Sequence, residues 1–200
     1  MGKKFKEVGI YLKSPQEDIP KITNLLKKSG LNKVLDLGCG TGRNLIFMAQ
    51  NGLSVYGLDN SKTAIKLTKR WLRGKKLKAK FILQDMGGKL PFKDNFFDAV
   101  VSVQVIHHAK IEEIRKIVRE IERVLKMQGL IFVTVPKFKN QGSSFKKIEP
   151  NTSIPLDGSE KGLPHHYFTK DELKSIFKNF SIADIHLDKT NHYCLLGYRN

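Results

Sequence analysis

The chain has 200 residues, 40% of them hydrophobic and 28% charged, which is ordinary for one globular domain over residues 1–200 with an ample core. The formal net charge of +17 is not ordinary, and it suggests either an anionic partner such as RNA or a lysine-rich surface that favours solubility. No apolar stretch approaches transmembrane length, the polar start lacks a signal-peptide core, and Cys39 and Cys194 have no zinc-site spacing. These features predict a cytoplasmic protein without a membrane partner.

Residues 1–30 are predicted to contain one helix. The run Ser14-Pro15-Gln16-Glu17 is typical of a helix start, with Ser as N-cap, Pro at the first helical position and Glu completing a capping box. This helix should run to about Ser29 and end at Gly30. It either packs on a neighbouring sheet or forms a lid over a ligand site.

A short buried strand followed by a glycine-rich turn is predicted over residues 33–44, with the sequence KVLDLGCGTGRN. Gly38, Gly40 and Gly42 alternate after the strand, and an amphipathic helix begins directly after them. Glycines at such a turn let the backbone come close to a ligand, and the new helix points its free N–H groups into the same space. Dinucleotide sites read G-x-G-x-x-G, whereas here the third glycine comes one residue early and Arg43 follows it. The turn therefore predicts a site for a nucleotide cofactor other than a dinucleotide.

This stretch resembles motif I of the class I S-adenosylmethionine-dependent methyltransferases, in which an acidic residue precedes G-x-G-x-G. The resemblance implies that Asp36 and the three glycines contact S-adenosylmethionine. It also implies an α/β fold: a Rossmann-like, mostly parallel seven-stranded sheet with helices on both faces and an antiparallel C-terminal hairpin. Within that family the chain resembles small stand-alone methyltransferases of the ubiquinone/menaquinone-biosynthesis and tellurite-resistance type.

The segment LSVYGLD predicts a second strand that ends at Asp59, 21 residues after Gly38. A carboxylate about 20 residues after the glycine turn accepts hydrogen bonds from ribose hydroxyls, although an Asp that only caps the next helix would have the same spacing. Asn60 is predicted to share this site, and it opens the next helix. That helix carries a basic stripe formed by Lys62, Lys66, Lys69, Arg70 and Arg73. The stripe suits a phosphate backbone, and it equally describes the solvated face of an amphipathic helix.

The third strand is predicted over KAKFILQD and ends at Asp85. The resemblance implies that Asp85 accepts a hydrogen bond from the adenine amino group and that the backbone of Met86 contacts the ring. Leu90-Pro91-Phe92 and the buried strand Ala99–Val103 resemble the motifs that follow in the family. Because open α/β sheets bind ligands at the carboxyl ends of their strands, we expect Ser102 to His108 to face the methionine part of the cofactor and the acceptor.

The second half of the chain is predicted to complete the sheet. An amphipathic helix is predicted from Lys110 to Lys126, and a fifth buried strand follows Gln128-Gly129. Residues 137–168 are predicted as a long loop over the substrate side, because residues 137–162 lack hydrophobic periodicity. Thr169 and Glu172 should form a capping box. The segments SIADIHLD and HYCLLGYR then predict the antiparallel hairpin.

Two pairs of histidines are the candidates for chemistry at the acceptor side. His107 and His108 end the fourth strand, and His165 and His166 end the loop that should overhang the same site. Histidine is the side chain best suited to remove a proton near neutral pH, so His107, His108 and His166 are predicted to be catalytic. Hydrogen-bonded histidines that only shape the pocket are the alternative. A metal site formed by all four histidines is a further alternative, but neither pair has the i, i+4 spacing of a helical metal site, so no metal is predicted.

The sequence favours methyl transfer to a small molecule. The segment Val105–His108 resembles tRNA wobble-uridine methyltransferases, so an RNA (tRNA) methyltransferase is the alternative, and a non-catalytic protein that only binds S-adenosylmethionine is the third possibility. The Asn-Pro-Pro-Tyr motif of amino-group nucleic-acid methyltransferases and the cysteine motif of cytosine-5 enzymes are absent from the chain. The sulfonium group of the cofactor carries its own leaving group, so the protein mainly has to hold acceptor and methyl group in line.

Overall fold

The computed structural model describes residues 13–138 and 144–200, which contain five α-helices and ten β-strands. The helices are α1 (Ile19–Lys28), α2 (Arg43–Gln50), α3 (Lys62–Gly74), α4 (Ile111–Val124) and α5 (Lys170–Ile176). The strands are β1 (Lys33–Leu37), β2 (Ser54–Asp59), β3 (Lys80–Leu83), β4 (Phe97–Val103), β5 (Leu125–Pro136), β6 (Phe145–Glu149), β7 (Thr152–Pro155), β8 (His165–His166), β9 (Phe180–Leu187) and β10 (His192–Arg199).

Seven of these strands form one sheet in the order β3-β2-β1-β4-β5-β10-β9. Strands β1 to β5 are parallel, and β10 is antiparallel to both β5 and β9. The chain moves outward from β1 to β3, and β4 then returns to the other side of β1. This reversal leaves a crevice at the carboxyl ends of β1 and β4, which is where open α/β sheets bind ligands. The predicted fold class is confirmed.

Apolar layers cover both faces of this sheet because successive side chains of each buried strand point to opposite faces. In β1, Leu35 and Leu37 pack in the layer that contains the buried side of α4, whereas Val34 packs in the layer that contains α1 and α2. Rigid layers on both sides hold the carboxyl ends of the strands in place, and these ends carry most of the predicted site residues.

Three boundaries differ from the sequence prediction. Helix α1 begins at Ile19, because the backbone N–H of Gln16 donates to Oδ1 of Asn44 and ties the preceding run against α2. Strand β3 ends at Leu83, two residues before Asp85. Strand β5 begins directly after α4, with Gln128 in the left-handed region at φ 58° inside the strand.

The prediction of a long unpatterned loop over residues 137–168 is wrong for its described part. Strands β6, β7 and β8 form a separate antiparallel sheet, in which Ser153 pairs with His165 and Thr152 with His166. Asn151, at φ 60°, makes the turn between β6 and β7, a conformation that asparagine adopts more readily than most residues. Residues 139–143 of the predicted loop lie outside the described residues.

Helix α5 begins where the sequence predicts, but its capping box is incomplete. The Thr169 side chain accepts a hydrogen bond from the backbone N–H of Glu172. The Glu172 carboxylate lies near His166 and Asn151 instead of reaching back to the helix start. The predicted C-terminal hairpin is confirmed as β9 and β10.

Candidate active site

The glycine turn between β1 and α2 lies so close to its neighbours that side chains would not fit at two positions. Gly38 and Gly42 have φ angles of 74° and 84°, in the region that favours glycine. A Cβ atom at Gly38 would collide with the side chain of Val105, and one at Gly42 with the side chain of Thr68. The packing therefore requires glycine at both positions, and the turn lines the crevice at the end of β1.

Asp59 ends β2 and braces this turn. Its Oδ2 atom accepts a hydrogen bond from the N–H of Gly40 at 2.8 Å, and its Oδ1 atom accepts one from the N–H of Ser61 at 2.8 Å. Burial raises the pKa of Asp59, and these two hydrogen bonds act in the opposite direction. Each oxygen retains capacity for another hydrogen bond, so the carboxylate shapes the turn and also faces the crevice.

Asp85 and Asn60 are joined beside Asp59. The Nδ2 atom of Asn60 donates to Oδ2 of Asp85 at 3.0 Å, and the N–H of Gly87 donates to Oδ1 of Asp85 at 2.8 Å. The side chain of Met86 packs against the apolar layer under this loop. The ends of β2 and β3 therefore bring two carboxylates, an amide and an apolar side chain to one edge of the sheet.

One large cavity, called here the central cavity, contains most of the predicted site residues. Its volume is about 1360 Å³. The predicted site residues that line it are Gly38, Gly40, Gly42, Asp59, Asn60, Asp85, Met86, His107 and His108. The turn from Pro15 to Glu17 also lines it, whereas helix α1 itself packs on the sheet through Ile19, Ile22 and Leu26.

Asp36 and Ser102 lie behind the cavity wall and do not line it. Asp36 is only 2% exposed, accepts a hydrogen bond from the backbone N–H of Leu45, and has its pKa raised to about 7, first by burial and then by the charge of Asp59. The hydroxyl of Ser102 donates to the carbonyl of Leu37 at 3.1 Å. Both side chains hold the strand and turn that face the cavity.

Three histidines meet at the other end of the central cavity. The ring centroids of His107 and His108 are 3.9 Å apart, and the ring of His165 lies 4.6 Å from that of His108 and 5.6 Å from that of His107. A backbone hydrogen bond from His166 to the carbonyl of His107, 2.9 Å long, attaches β8 to the end of the fourth-strand segment. This bond explains how two distant parts of the sequence form one cluster, called here the histidine cluster.

Burial keeps the histidine cluster neutral. It lowers the pKa of His107 well below its ordinary value, and the neighbouring His108 and His165 act in the same direction. Burial lowers the pKa of His108 to about 3, and a hydrogen bond to the backbone of Pro164 opposes this effect. Burial also lowers the pKa of His165, against the opposing charge of Glu160. A neutral imidazole ring has one nitrogen with a free lone pair, so each histidine of the cluster can accept a hydrogen bond.

His166, which the sequence predicted to be catalytic, does not line the cavity. It is fully buried, its Nδ1 atom lies 2.7 Å from the hydroxyl of Thr152, and its Nε2 atom lies 3.2 Å from Glu172. Adjacent residues of a strand point to opposite faces, so only one residue of this pair can reach the cavity, and it is His165. The pairing register of β7 and β8 decides this, and the sequence carried no sign of that register.

The sequence prediction also missed the far wall of the cavity. Asp188, Thr190 and His192, at the turn between β9 and β10, line it together with Glu160 and Glu113. Asp188 accepts hydrogen bonds from the backbone of Thr190 and His192, both at 2.9 Å, and these bonds help to lower its pKa. The predicted antiparallel hairpin was the available signal, since β10 begins beside the carboxyl end of β5.

The basic stripe of α3 borders a second groove, called here the β3 groove, of about 940 Å³. Its apolar side chains include Ile65, Leu72, Phe81 and the exposed Leu83. Its basic side chains are Lys62, Lys66, Lys69, Arg73, Lys78 and Lys80. Among residues 13–138 and 144–200, none lines both this groove and the central cavity.

Comparisons with known proteins identify the family. The methyltransferase domain family matches residues 35–133, and an uncharacterized methyltransferase of Bacillus licheniformis is 30% identical over 169 residues, which are 81% of this chain and 75% of that protein. The chain belongs to the class I S-adenosylmethionine-dependent methyltransferases. Its cofactor is therefore S-adenosylmethionine, as the resemblance of the glycine turn to motif I implies.

Two further methyltransferases show how varied the acceptors of similar proteins are. A magnesium protoporphyrin IX methyltransferase from Synechocystis PCC 6803, solved with bound S-adenosylmethionine, has the same fold with a TM-score of 0.70 and 18% identity, covering 100% of this chain and 95% of that one. A tRNA (carboxymethyluridine(34)-5-O)-methyltransferase of Arabidopsis thaliana is 32% identical over 120 residues, 58% of this chain and 27% of that protein. Several other curated methyltransferases match over less than half of their own length. Among the described residues no helix is long and apolar enough to span a membrane.

Proposed function

We propose that this methyltransferase acts on a small molecule that binds in the central cavity beside the histidine cluster. The supporting observation is the size and the two-ended character of the cavity. Its volume of about 1360 Å³ exceeds the roughly 300–1,000 Å³ of most ligand pockets, so a nucleoside cofactor and a second small molecule fit together. One end carries carboxylates and glycine backbone, and the other carries buried neutral imidazoles.

The cofactor is proposed to lie along the glycine turn. Asp59 accepts hydrogen bonds from the ribose hydroxyls, while Asp85 and Met86 contact the adenine. With the nucleoside placed there, the methyl group points along the remaining wall, from Gln104 to His108. Asp36 and Ser102 would support the site through the backbone that they hold, since neither side chain lines the cavity.

The reaction needs an acceptor atom held opposite the departing sulfur. The acceptor's lone pair forms a bond to the methyl carbon, and the carbon–sulfur bond breaks with its electron pair going to sulfur. If the acceptor arrives protonated, its proton passes to solvent or to the lone pair of a neighbouring histidine. Alignment of this kind supplies roughly 7–11 kcal/mol of the barrier reduction in favourable cases. We propose that His107 and His108 contact the acceptor and orient it through their lone pairs, while His166 positions β8 by its contact with Thr152.

Methylation of RNA is the second candidate. The net charge of +17 and the basic side of the β3 groove favour an anionic partner, and the plant relative is named for a tRNA substrate. It ranks second because the basic residues of the groove do not line the central cavity. A bound RNA would have to reach from the groove to the histidine cluster.

Transfer of a labelled methyl group into fractionated cell extract distinguishes these candidates. The protein is incubated with methyl-labelled S-adenosylmethionine and extract, with and without ribonuclease. We expect label in a fraction of low molecular mass that survives ribonuclease. Label found only in RNA, and lost after ribonuclease treatment, would contradict the small-molecule proposal and establish the second candidate.

A substitution in the histidine cluster tests the position of the acceptor. His107→Asn should lower turnover on the labelled acceptor while the affinity for the cofactor stays within about twofold, or some 0.4 kcal/mol. A matched control is His186→Asn, since His186 lies outside the central cavity. Parallel loss of cofactor binding and turnover in His107→Asn would show that the cluster belongs to the cofactor end.

A further inference from the structure

We propose that His107, His108 and His165 bind one divalent transition-metal ion of the zinc type at the acceptor end of the central cavity. Each residue offers one ring nitrogen, and these three nitrogen atoms all lie within 4.8 Å of one another. The three residues come from two segments that the backbone bond between His166 and His107 holds together. The site therefore forms with the fold, although the spacing in the sequence gives no sign of it.

The nitrogens of the cluster lack the partners that buried polar atoms normally have. Nδ1 of His107, Nδ1 of His108 and Nε2 of His165 are buried without a hydrogen-bond partner in the part of the chain that the structure describes, as are Nε2 of His166 and Oδ2 of Asp36 outside the cluster. A buried polar atom without a partner costs about 1–3 kcal/mol, and such atoms are uncommon in folded proteins. Three of them on adjacent rings point to a shared ligand that accepts lone pairs.

The surroundings of the rings favour a metal ion as that ligand. The side chains of His107 and His165 are buried and that of His108 is half-buried, so the three rings lie against one another away from bulk water. The ring of His108 also makes a hydrogen bond to the backbone of Pro164, the outer contact that orients metal-binding histidines in many sites. The carboxylate of Glu160 lies 3.5 Å from Nε2 of His165 and adds a negative charge beside the cluster.

The geometry is compatible with a tetrahedral ion. Zinc–nitrogen bonds of about 2.1 Å place the nitrogens of a tetrahedral site about 3.4 Å apart. The three ring nitrogens lie at most 4.8 Å apart, so side-chain rotations that bring them closer by little more than 1 Å close the site. Three protein ligands leave a fourth position open toward the cavity, which is the arrangement of catalytic rather than structural zinc sites.

A second cluster of potential ligands, formed by Asp18, His186 and Cys194, provides an internal comparison. Its groups already have partners: His186 contacts Asp18 at 3.3 Å and Asp184 at 2.8 Å, and Gln16 donates to Asp18 at 3.0 Å. The Gln16 amide also lies 3.5 Å from the sulfur of Cys194. Its polar atoms need no ion, so it serves as the control.

The proposed metal binding does not depend on the proposed function. The role of the ion in the reaction does rest on the proposed function. An ion in this position would bind the acceptor oxygen, nitrogen or sulfur through the open coordination site and lower the pKa of that group. The acceptor would then be deprotonated on binding, and the ion, in place of the lone pairs of His107 and His108, would hold it beside the histidine cluster. The acceptor class that fits best is a small molecule with a hydroxyl, thiol or acidic N–H group.

The test measures metal binding by the full chain, without a histidine tag, after removal of metals with a chelator. Zn²⁺ is titrated by calorimetry and Co²⁺ by visible absorption, in the absence of cofactor and acceptor. We expect one ion per chain, a higher Tm with Zn²⁺, and a Co²⁺ spectrum without a thiolate charge-transfer band. His108→Ala and His165→Ala should each weaken Zn²⁺ binding by more than about 100-fold, exceeding the 10- to 100-fold loss typical of an outer contact. The control His186→Ala should bind Zn²⁺ like the wild type.

Three results would overturn the proposal: no Zn²⁺ or Co²⁺ binding at millimolar concentrations, equal binding by both cluster variants, or loss of binding in the control. A thiolate band in the wild-type spectrum would assign the ion to Cys194 instead, and this measurement needs no variant to fold. Circular dichroism and cofactor affinity within twofold of wild type confirm that the variants are folded. A chain that binds Zn²⁺ but labels only RNA would uphold the metal site and contradict the small-molecule proposal.

Discussion

Replacing Asp59 with alanine tests the cofactor end of the cavity. The carboxylate holds two backbone N–H groups, those of Gly40 and Ser61, each at 2.8 Å, and is proposed to hold the ribose as well. Loss of its hydrogen bonds to two ribose hydroxyls should cost roughly 2–4 kcal/mol of binding free energy, or about 30- to 1,000-fold in affinity for S-adenosylmethionine. The unpaired N–H of Gly40 should lower the free energy of unfolding of the ligand-free protein by about 1–3 kcal/mol.

The two effects separate experimentally. Calorimetry gives the affinity for S-adenosylmethionine and its demethylated product, and urea denaturation of the ligand-free protein gives the stability. Asp59→Asn keeps one acceptor oxygen and should lie between wild type and alanine in both measurements. Asp184→Ala, at an exposed carboxylate outside the central cavity, is the control. An unchanged cofactor affinity in a folded Asp59→Ala protein would remove Asp59 from the binding site and refute the proposed placement of the ribose.

Further predictions concern the turn, the pH dependence and the charge. Gly38→Ala should lower both stability and cofactor affinity, because the new methyl group collides with Val105; wild-type behaviour in urea and calorimetry would show that the turn is not constrained there. Asp98 accepts from two backbone N–H groups and from Lys126 at 2.6 Å, and these bonds lower its pKa. The stabilisation that Asp98 contributes to the fold is thus full above its unfolded pKa near 3.9, and it is lost as the pH falls through its lower folded pKa. In thermal scans, Asp98→Ala should therefore be destabilised by about 1–3 kcal/mol at pH 7, and its stability should converge with that of wild type in acid. Replacing three basic residues of the β3 groove (Lys66, Lys69 and Arg73) with Glu should weaken tRNA binding and reduce its salt dependence. We expect the wild-type protein to bind tRNA more weakly than micromolar at physiological salt. Submicromolar binding of tRNA by the wild-type protein in a filter assay would favour the RNA candidate.

The parts of the fold that the sequence predicted are those whose signal is local. The apolar run of β1, the three glycines after it and Asp59 at the end of β2 follow one another at short spacings along the chain. Backbone conformation at Gly38 and Gly42 leaves little freedom for any other residue. These local signals predicted a nucleotide cofactor site, and the resemblance to a known family that they carry implied the fold class and S-adenosylmethionine.

The parts that the sequence missed depend on contacts between distant segments. The choice between His165 and His166 depends on the register of β7 against β8, which no local pattern encodes. Strands β6 to β8 are only five, four and two residues long and contain few apolar residues, so they show no alternation of apolar residues. Asp36 lies next to the glycines in sequence, but its side chain is buried and does not line the central cavity. The start of α1 was misplaced for the same reason, since Asn44 of another element sets it.

A crystal structure with S-adenosylhomocysteine, the demethylated cofactor, tests the central claim most directly. The account predicts adenine beside Asp85 and Met86, ribose hydroxyls within hydrogen-bond distance of Asp59, and the sulfur directed toward the histidine cluster with open space between them for an acceptor. A cofactor bound in the reverse direction, with adenine on the histidines, would contradict it. So would a cofactor whose sulfur faces away from the cavity, because no acceptor in that cavity could then reach the methyl group.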